Sequence, residues 1–159
     1  WQMMGGQDIR WDEAAVIAGK KFANKIWNAS RFVIGRQVAG HWIVAARVKP
    51  KTSADKKIMA SLKKTKKAVE RGIKKYELGQ ALHALYDFFW HDFCDVYLEA
   101  AKTQVDGNTD QLLLKILKES LKMLHPFMPF ITEEIYQRLP TEQEDPSLQG
   151  KNWLIVEKW

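Results

Sequence analysis

Apolar residues recur at intervals of three and four along most of the chain, which is the period of an amphipathic α-helix. The first helix is predicted to start near Asp12, whose carboxylate can accept hydrogen bonds from free backbone N–H groups, and to end at about Val38. Its apolar stripe consists of Phe22, Ile26, Ala29 and Val33.

The second predicted helix begins after Thr52 and Ser53, and the third covers about residues 78 to 104. The apolar positions of the second helix are Ile58, Leu62, Thr65, Val69, Ile73 and Tyr76. Those of the third are Leu82, Tyr86, Phe89, Phe93, Val96 and Ala100, with Trp90 and Tyr97 beside them. So much aromatic bulk is typical of the centre of a helical bundle.

A fourth helix is predicted near residues 110 to 124 and a fifth at about 129 to 139, after Pro126 and Pro129 interrupt the chain. Residues 41 to 50 fit either a strand or a helical extension, and residues 153 to 156 are predicted to form one short strand. The fold class is therefore all-α, with about five helices in residues 1 to 140; residues 141 to 159 form a loop and a strand. The predicted core contains Phe22, Ile26, Leu82, Phe89, Phe93, Leu124 and Ile135.

A second stripe runs along the first helix beside the apolar one and contains Lys21, Lys25, Asn28 and Phe32. A ring for stacking, an amide for base edges and cations for phosphate are what a protein uses to bind unpaired bases. The alternative is an ordinary structural role, in which Phe32 packs against a loop and the lysines form a solvated face. For base recognition, Phe32 must lie outside the core stripe and be exposed.

Charge is divided unevenly along the chain. Residues 1 to 80 hold 18 Lys and Arg against 6 acids, whereas residues 81 to 159 hold 7 against 13. The basic half favours a polyanionic partner, with nucleic acid first and an anionic membrane second. Nine basic residues lie between Lys56 and Lys75, and for this helix a phosphate-tracking surface and a solvated face are about equally favoured.

Composition also bears on class and location. No apolar run reaches the length of a membrane span, and no signal-peptide pattern is present, so a soluble protein is predicted. The single cysteine, Cys94, fits a reducing cytoplasm. The first residue is Trp1 and not Met, which favours a segment of a longer protein.

The sequence offers little catalytic chemistry. Asp92, Asp95 and Glu99 share one helical face near His91, but pairing with the basic helices is the favoured role of this acidic stripe. Cys94 lacks an oxyanion donor nearby and is predicted to be buried. We therefore predict no catalytic residue, no metal site and no cofactor in these 159 residues.

Five segments, in order, resemble the anticodon-binding region of class I valyl-tRNA synthetases. The resemblance spans nearly the whole chain, and the combination of N-K-x-W-N-A-S-R-F with F-C-D-x-Y-L-E-x-A-K favours the valyl family over the isoleucyl and leucyl families. The segments are GQDIRWDE (6–13), KFANKIWNASRFV (21–33), ADKKI-x-x-x-L (54–62), ALYDFFWHDFCDVYLEAAK (84–102) and LHPFMPFITEEIYQRL (124–139).

The resemblance implies a mostly helical bundle that follows the catalytic domain of a larger enzyme, with the last strand belonging to a small α/β appendage. It implies that Asn28, Arg31 and Phe32 lie near the anticodon loop of a tRNA, with tRNA(Val) as the expected partner. ATP and the adenylate chemistry would belong to the full-length ligase, in the cytoplasm, and the fragment itself would recognise without catalysing.

Two alternatives remain at this point. One is a non-enzymatic helical scaffold whose basic face docks an acidic protein or an anionic membrane. The other keeps tRNA as the partner but makes isoleucine the amino acid. The first alternative works with Phe32 buried, whereas tRNA recognition requires an accessible ring.

Overall fold

The computed structural model describes residues 12–39, 48–104, 106–139 and Leu154, with side chains up to residue 36 in the first range. All regular structure in these ranges is helical. Helices α3 and α4, with a π-helical segment between them, form one unbroken rod, so five rods make up the predicted all-α bundle. The helices are α1 (Glu13–Ala39), α2 (Ser53–Lys74), α3 (Leu78–Asp87), the π-helical segment (Phe88–Leu98), α4 (Glu99–Lys102), α5 (Gly107–Leu124) and α6 (Pro129–Tyr136).

Helix α1 matches its prediction closely. The Asp12 carboxylate accepts a hydrogen bond of 2.9 Å from the Ala14 N–H, which satisfies a free donor of the first turn. The four residues of the predicted apolar stripe are all buried. Burial of this stripe leaves the neighbouring one as the border between core and solvent.

Helix α2 starts with a capping box formed by Thr52 and Asp55, each of whose side chains accepts a hydrogen bond from the backbone N–H of the other. Ile58, Leu62 and Val69 are buried as predicted. Tyr76 was expected on the same stripe, but this is wrong. The helix ends before it, so its ring is 89% exposed.

The third rod departs from the predicted periodicity at its centre. In the π-helical segment the backbone hydrogen bonds span five residues instead of four, so each turn contains more residues. The buried face is therefore shifted: Tyr97 is buried, whereas Val96, predicted to face inward, is 55% exposed. Leu82, a predicted core residue in α3, is only half-buried.

Helix α5 begins three residues earlier than predicted, because the Asp106 carboxylate caps it by accepting hydrogen bonds from the N–H groups of Asn108 and Thr109. Leu124 at its end is buried, and α6 starts at Pro129 as predicted. Helix α6 ends at Tyr136, three residues before the predicted end, and both Ile135 within it and Leu139 beyond it are buried. The two proline breaks thus turn the chain back along α1, against which α6 packs.

The core lies between α1, α2, α5 and the third rod. Helix α1 packs against α5, α6 and the π-helical segment, while α2 packs against α3, the π-helical segment and α5. Aromatic rings fill the contact between α1 and the third rod: the Phe22 ring lies 4.8 Å from Tyr86 and 6.1 Å from Phe89, between centroids. Burial of Phe22, Ile26, Phe89, Phe93, Leu124 and Ile135 confirms these predicted core residues.

Several predictions concern positions outside the described residues. Of the strand or helix predicted at residues 41 to 50, residues 41 to 47 lie outside the described ranges and residues 48 to 50 have no regular structure; most of the strand predicted at 153 to 156 also lies outside. Leu154 alone is described there; it is buried, and its N–H donates to the Glu133 carboxylate at 3.0 Å. The division at residue 140 and the small appendage stay predictions.

Candidate nucleic-acid interface

The outer side of α1 presents a cation, an amide and a guanidinium to solvent. Lys21, Asn28 and Arg31 are exposed. Positions three and four apart are neighbours on a helix surface, so Arg31 and Phe32 flank Asn28 on either side. A donor–acceptor amide between a cation and a ring can meet the edge of a base and its phosphate together.

Phe32 is neither fully exposed, as base recognition was expected to require, nor part of the core. One side of the ring packs against the buried cluster, and the side chain as a whole is half-buried. Two cations lie near its face, with the Arg36 guanidinium at 5.8 Å and the Lys102 ammonium at 6.0 Å from the centroid. The ring is therefore supported from below and bordered by positive charge, an arrangement suited to an electron-rich partner.

Arg36 is a residue that the sequence did not single out. Its Nε donates to the Asp110 carboxylate, and its two terminal nitrogens donate to the carbonyls of Ala101 and Gln104, all at 2.6 Å. A guanidinium can hold three acceptors in a fixed geometry, which an ammonium cannot. This clamp, formed by Arg36 with Asp110, Ala101 and Gln104, fixes the end of α1 to the connection between α4 and α5.

Lys25 differs from the rest of the predicted binding set. Its ammonium contacts the Asp95 carboxylate at 2.8 Å and lies 5.0 Å from the centre of a Trp90 ring. The hydrogen bond that the Lys25 ammonium donates to Asp95 raises the Lys25 pKa, so the cation is held in its charged form. Asp95 also confirms the predicted pairing of the acidic stripe with a basic helix. Lys25 is thus partly neutralised within the fold and less available to phosphate than Lys21.

The acidic stripe also contacts α2, where the Ser61 hydroxyl donates to the Asp92 carboxylate. Further along α2, Lys66 pairs with Glu119 of α5 at 2.9 Å. Other cations of the helix point into solvent; they are Lys56, Lys57, Lys63, Lys64, Lys67, Arg71 and Lys74. Near the C-terminal end of α2, a shallow groove is lined by Lys67, Glu70, Arg71, Lys74 and Lys75.

The remaining candidate chemistry takes structural roles. Cys94 is buried, and burial raises the pKa of its thiol to about 12, so it stays protonated at neutral pH. Nδ1 of His91 lies 4.0 Å from Asp87 on the exposed side of the third rod. Among the described residues, no group of three or more His, Cys, Asp or Glu side chains is placed to hold a metal ion.

None of the helices in the described ranges is both long enough and apolar enough to cross a bilayer.

Comparison with known proteins adds a family. Residues 55–159 match the family model described as the anticodon-binding domain of tRNA ligase. The chain is 40% identical over 157 residues to a valine–tRNA ligase of Thermotoga maritima, covering 96% of this chain and 18% of that protein. It is 42% identical over 146 residues to one of Bacillus anthracis and 41% identical over 155 residues to one of Oceanobacillus iheyensis. These cover 87% and 93% of this chain, and the chain spans less than a fifth of each relative's length.

Proposed function

The chain belongs to the family of anticodon-binding domains of tRNA ligases, and we propose that it recognises the anticodon of tRNA(Val) as part of a valine–tRNA ligase. The observation that carries this proposal is the band on α1 where exposed Asn28 and Arg31 border the half-buried Phe32 ring. Phe32, with Arg36 and Lys102 near its face, offers a stacking surface bordered by positive charge.

Each side chain of the band has a distinct proposed role. The Phe32 ring stacks on an unpaired base, and the Asn28 amide donates to and accepts from a base edge. Arg31 and Lys21 bind phosphates of the anticodon loop, since both are exposed. Lys25 contributes less than Lys21 to phosphate binding, because its ammonium is already paired with Asp95.

The relatives support valine over isoleucine, because proteins named valine–tRNA ligase match nearly the full length of this chain. Membership in a tRNA-ligase family also disfavours a scaffold for an acidic protein. Joining valine to tRNA with ATP is assigned to the remainder of a longer, cytoplasmic protein, which includes the catalytic domain against which this bundle would pack. The bundle itself supplies recognition and needs no cofactor.

The test uses the full-length protein and tRNA(Val) transcripts with either the native or an exchanged anticodon. We expect valine to be attached to the native transcript, with kcat/KM at least about tenfold lower when a base that stacks on Phe32 is lost. Attachment of isoleucine in place of valine would overturn the amino-acid assignment. Equal kcat/KM for native and exchanged anticodons would overturn the role of this bundle in reading them.

A further inference from the structure

Tyr76 occupies a position that glycine usually fills. The Glu77 N–H donates to the Gly72 carbonyl at 2.8 Å, and the Tyr76 N–H donates to the Ile73 carbonyl at 3.1 Å. This pair of bonds defines a Schellman motif, which requires a left-handed residue after the helix. Tyr76 adopts φ 59, a conformation that costs free energy for a bulky L-residue. The Tyr76 ring is 89% exposed, so its packing within the described structure does not offset this backbone strain.

Tyr76 directly follows Lys75, which is one of the residues that line a cationic groove at the C-terminal end of α2; we call it the Tyr76 groove. Lys67, Arg71, Lys74 and Lys75 line it, and Glu70 is the acid among its lining residues. All four cations are exposed, and none forms an ion pair within the ranges that the structure describes. Lys66, one residue away from the groove, does pair with Glu119. The groove therefore carries unneutralised charge next to an exposed ring, a combination that fits a nucleic-acid strand.

The Tyr76 groove lies at the opposite end of the bundle from Phe32. Phe32 is near Lys102, the last residue of the third rod, whereas Tyr76 lies two residues before Leu78, its first. Helix α2, with 22 residues, spans about 33 Å between the two ends. One anticodon loop in contact with Phe32 cannot also place its bases on Tyr76.

We propose that the Tyr76 groove is a second RNA contact, which binds a part of the tRNA outside the anticodon loop. The ring stacks on an exposed base, and Lys67, Arg71, Lys74 and Lys75 bind the phosphates on either side of it. RNA is favoured over an acidic protein because the rest of this family domain is assigned to tRNA; the inference therefore rests on the proposed function. Stacking explains why a tyrosine occupies a glycine position.

The decisive variant is Tyr76→Gly in the full-length protein, because glycine accepts the left-handed conformation and keeps the fold. We expect a higher melting temperature together with about five- to tenfold weaker binding of whole tRNA(Val), measured by filter binding. Tyr76→Phe keeps the ring and should bind as the unmodified protein does. Binding of an isolated anticodon stem-loop should be unchanged by Tyr76→Gly and weakened by Phe32→Leu.

Charge is tested with two double variants of the same helix. Lys74→Ala with Lys75→Ala should weaken binding of whole tRNA and reduce its salt dependence by about one unit of slope per lost phosphate contact. Lys63→Ala with Lys64→Ala, which removes the same charge outside the groove, is the matched control. It should have a smaller effect on both tRNA affinity and its salt dependence.

Unchanged tRNA affinity in Tyr76→Gly would overturn the second contact, and the groove would then be assigned to an acidic protein surface. The anticodon proposal would survive that result as long as the stem-loop still responds to Phe32→Leu. A full-length protein that binds neither whole tRNA(Val) nor the anticodon stem-loop would instead refute both proposals.

Discussion

The Tyr97 hydroxyl donates a hydrogen bond of 2.9 Å to the buried carboxylate of Asp55, which joins the π-helical segment to the first turn of α2. The same carboxylate accepts hydrogen bonds of 2.9 Å from the N–H groups of Lys51 and Thr52. Burial opposes ionisation of Asp55, but the hydrogen bonds outweigh it and hold its pKa below the ordinary value. Burial and this partner raise the pKa of Tyr97.

Tyr97→Phe should lower the free energy of unfolding by about 1 to 3 kcal/mol at pH 7, because a buried charged acceptor loses a donor. A depressed carboxyl pKa contributes stability above the unfolded value of about 3.9, and that stability is lost as pH falls through the folded pKa. The loss in Tyr97→Phe should therefore be smaller at pH 3 than at pH 7 in urea unfolding. Tyr76→Phe removes an exposed hydroxyl and is the control; an equal loss at both pH values would contradict this account.

Phe32→Leu should weaken binding of tRNA(Val) by about tenfold while changing the melting temperature little, because leucine retains apolar packing and loses the stacking face. Phe32→Ala should weaken binding equally but also destabilise the fold, since the ring is half-buried against the core. Binding and thermal unfolding are measured on the same protein samples. Loss of stability in Phe32→Leu with full affinity would make Phe32 a purely structural residue.

Asn28→Ala should relax discrimination among anticodons more than it lowers affinity, because an amide supplies both a donor and an acceptor to a base edge. The measurement is the ratio of affinities for tRNA(Val) and for a variant with one anticodon base exchanged. Asn28 is exposed, so no change in melting temperature is expected. A uniform loss across all anticodons would assign Asn28 to the backbone instead.

Lys21→Ala should weaken binding of all tRNAs alike and make it less sensitive to salt, as loss of a phosphate contact does. Lys25→Ala should weaken binding less, because its ammonium is paired with Asp95 in the free protein. Affinities are compared between low and physiological salt. Binding that is flat across this range would refute a phosphate contribution from α1.

Gly72→Ala should destabilise the protein by about 1 to 3 kcal/mol, although alanine favours helices. An added Cβ would lie 2.8 Å from the Ala81 Cβ and 3.2 Å from the Glu77 carbonyl, which would force α2 away from α3. Gly19→Ala is the matched control, because its Cβ would meet nothing within 4 Å and should stabilise α1 by up to about 1 kcal/mol. If thermal unfolding showed that both Gly72→Ala and Gly19→Ala stabilise the protein, α2 and α3 would be able to move apart without a loss of stability.

Helical periodicity was sufficient to predict α1, α5 and most of the core, because one apolar stripe per helix specifies a buried face. It failed at Val96, where the hydrogen-bond spacing of the π-helical segment rotates side chains away from their expected positions. It also failed at Tyr76, since the end of α2 carries no glycine to mark it.

The role of the candidate site residues stays a prediction, and the side chains that surround them could not be predicted from the sequence. A helical wheel places Asn28 and Phe32 on one stripe, yet it does not show which side chains of other helices lie beside them. Arg36 contacts Asp110 and Ala101, which are 74 and 65 residues away in the chain. The wheel likewise does not show that the Lys25 ammonium pairs with Asp95, which is 70 residues away in the chain. Such contacts depend on packing between rods, which no local pattern encodes.

Because of the clamp formed by Arg36, the conformational entropy of its side chain is lost during folding and not during binding. Ordering a flexible side chain at an interface costs about 0.5 to 1.5 kcal/mol, and here the cost for Arg36 is met as the protein folds. The last turn of α1 is thus held in place in the free protein, with the guanidinium already 5.8 Å from the Phe32 ring centroid. An incoming base would meet a preorganised surface and need not arrange it. The binding free energy would then come almost entirely from contacts between the base and this surface. A mismatched base that cannot form these contacts would lose nearly all of that free energy.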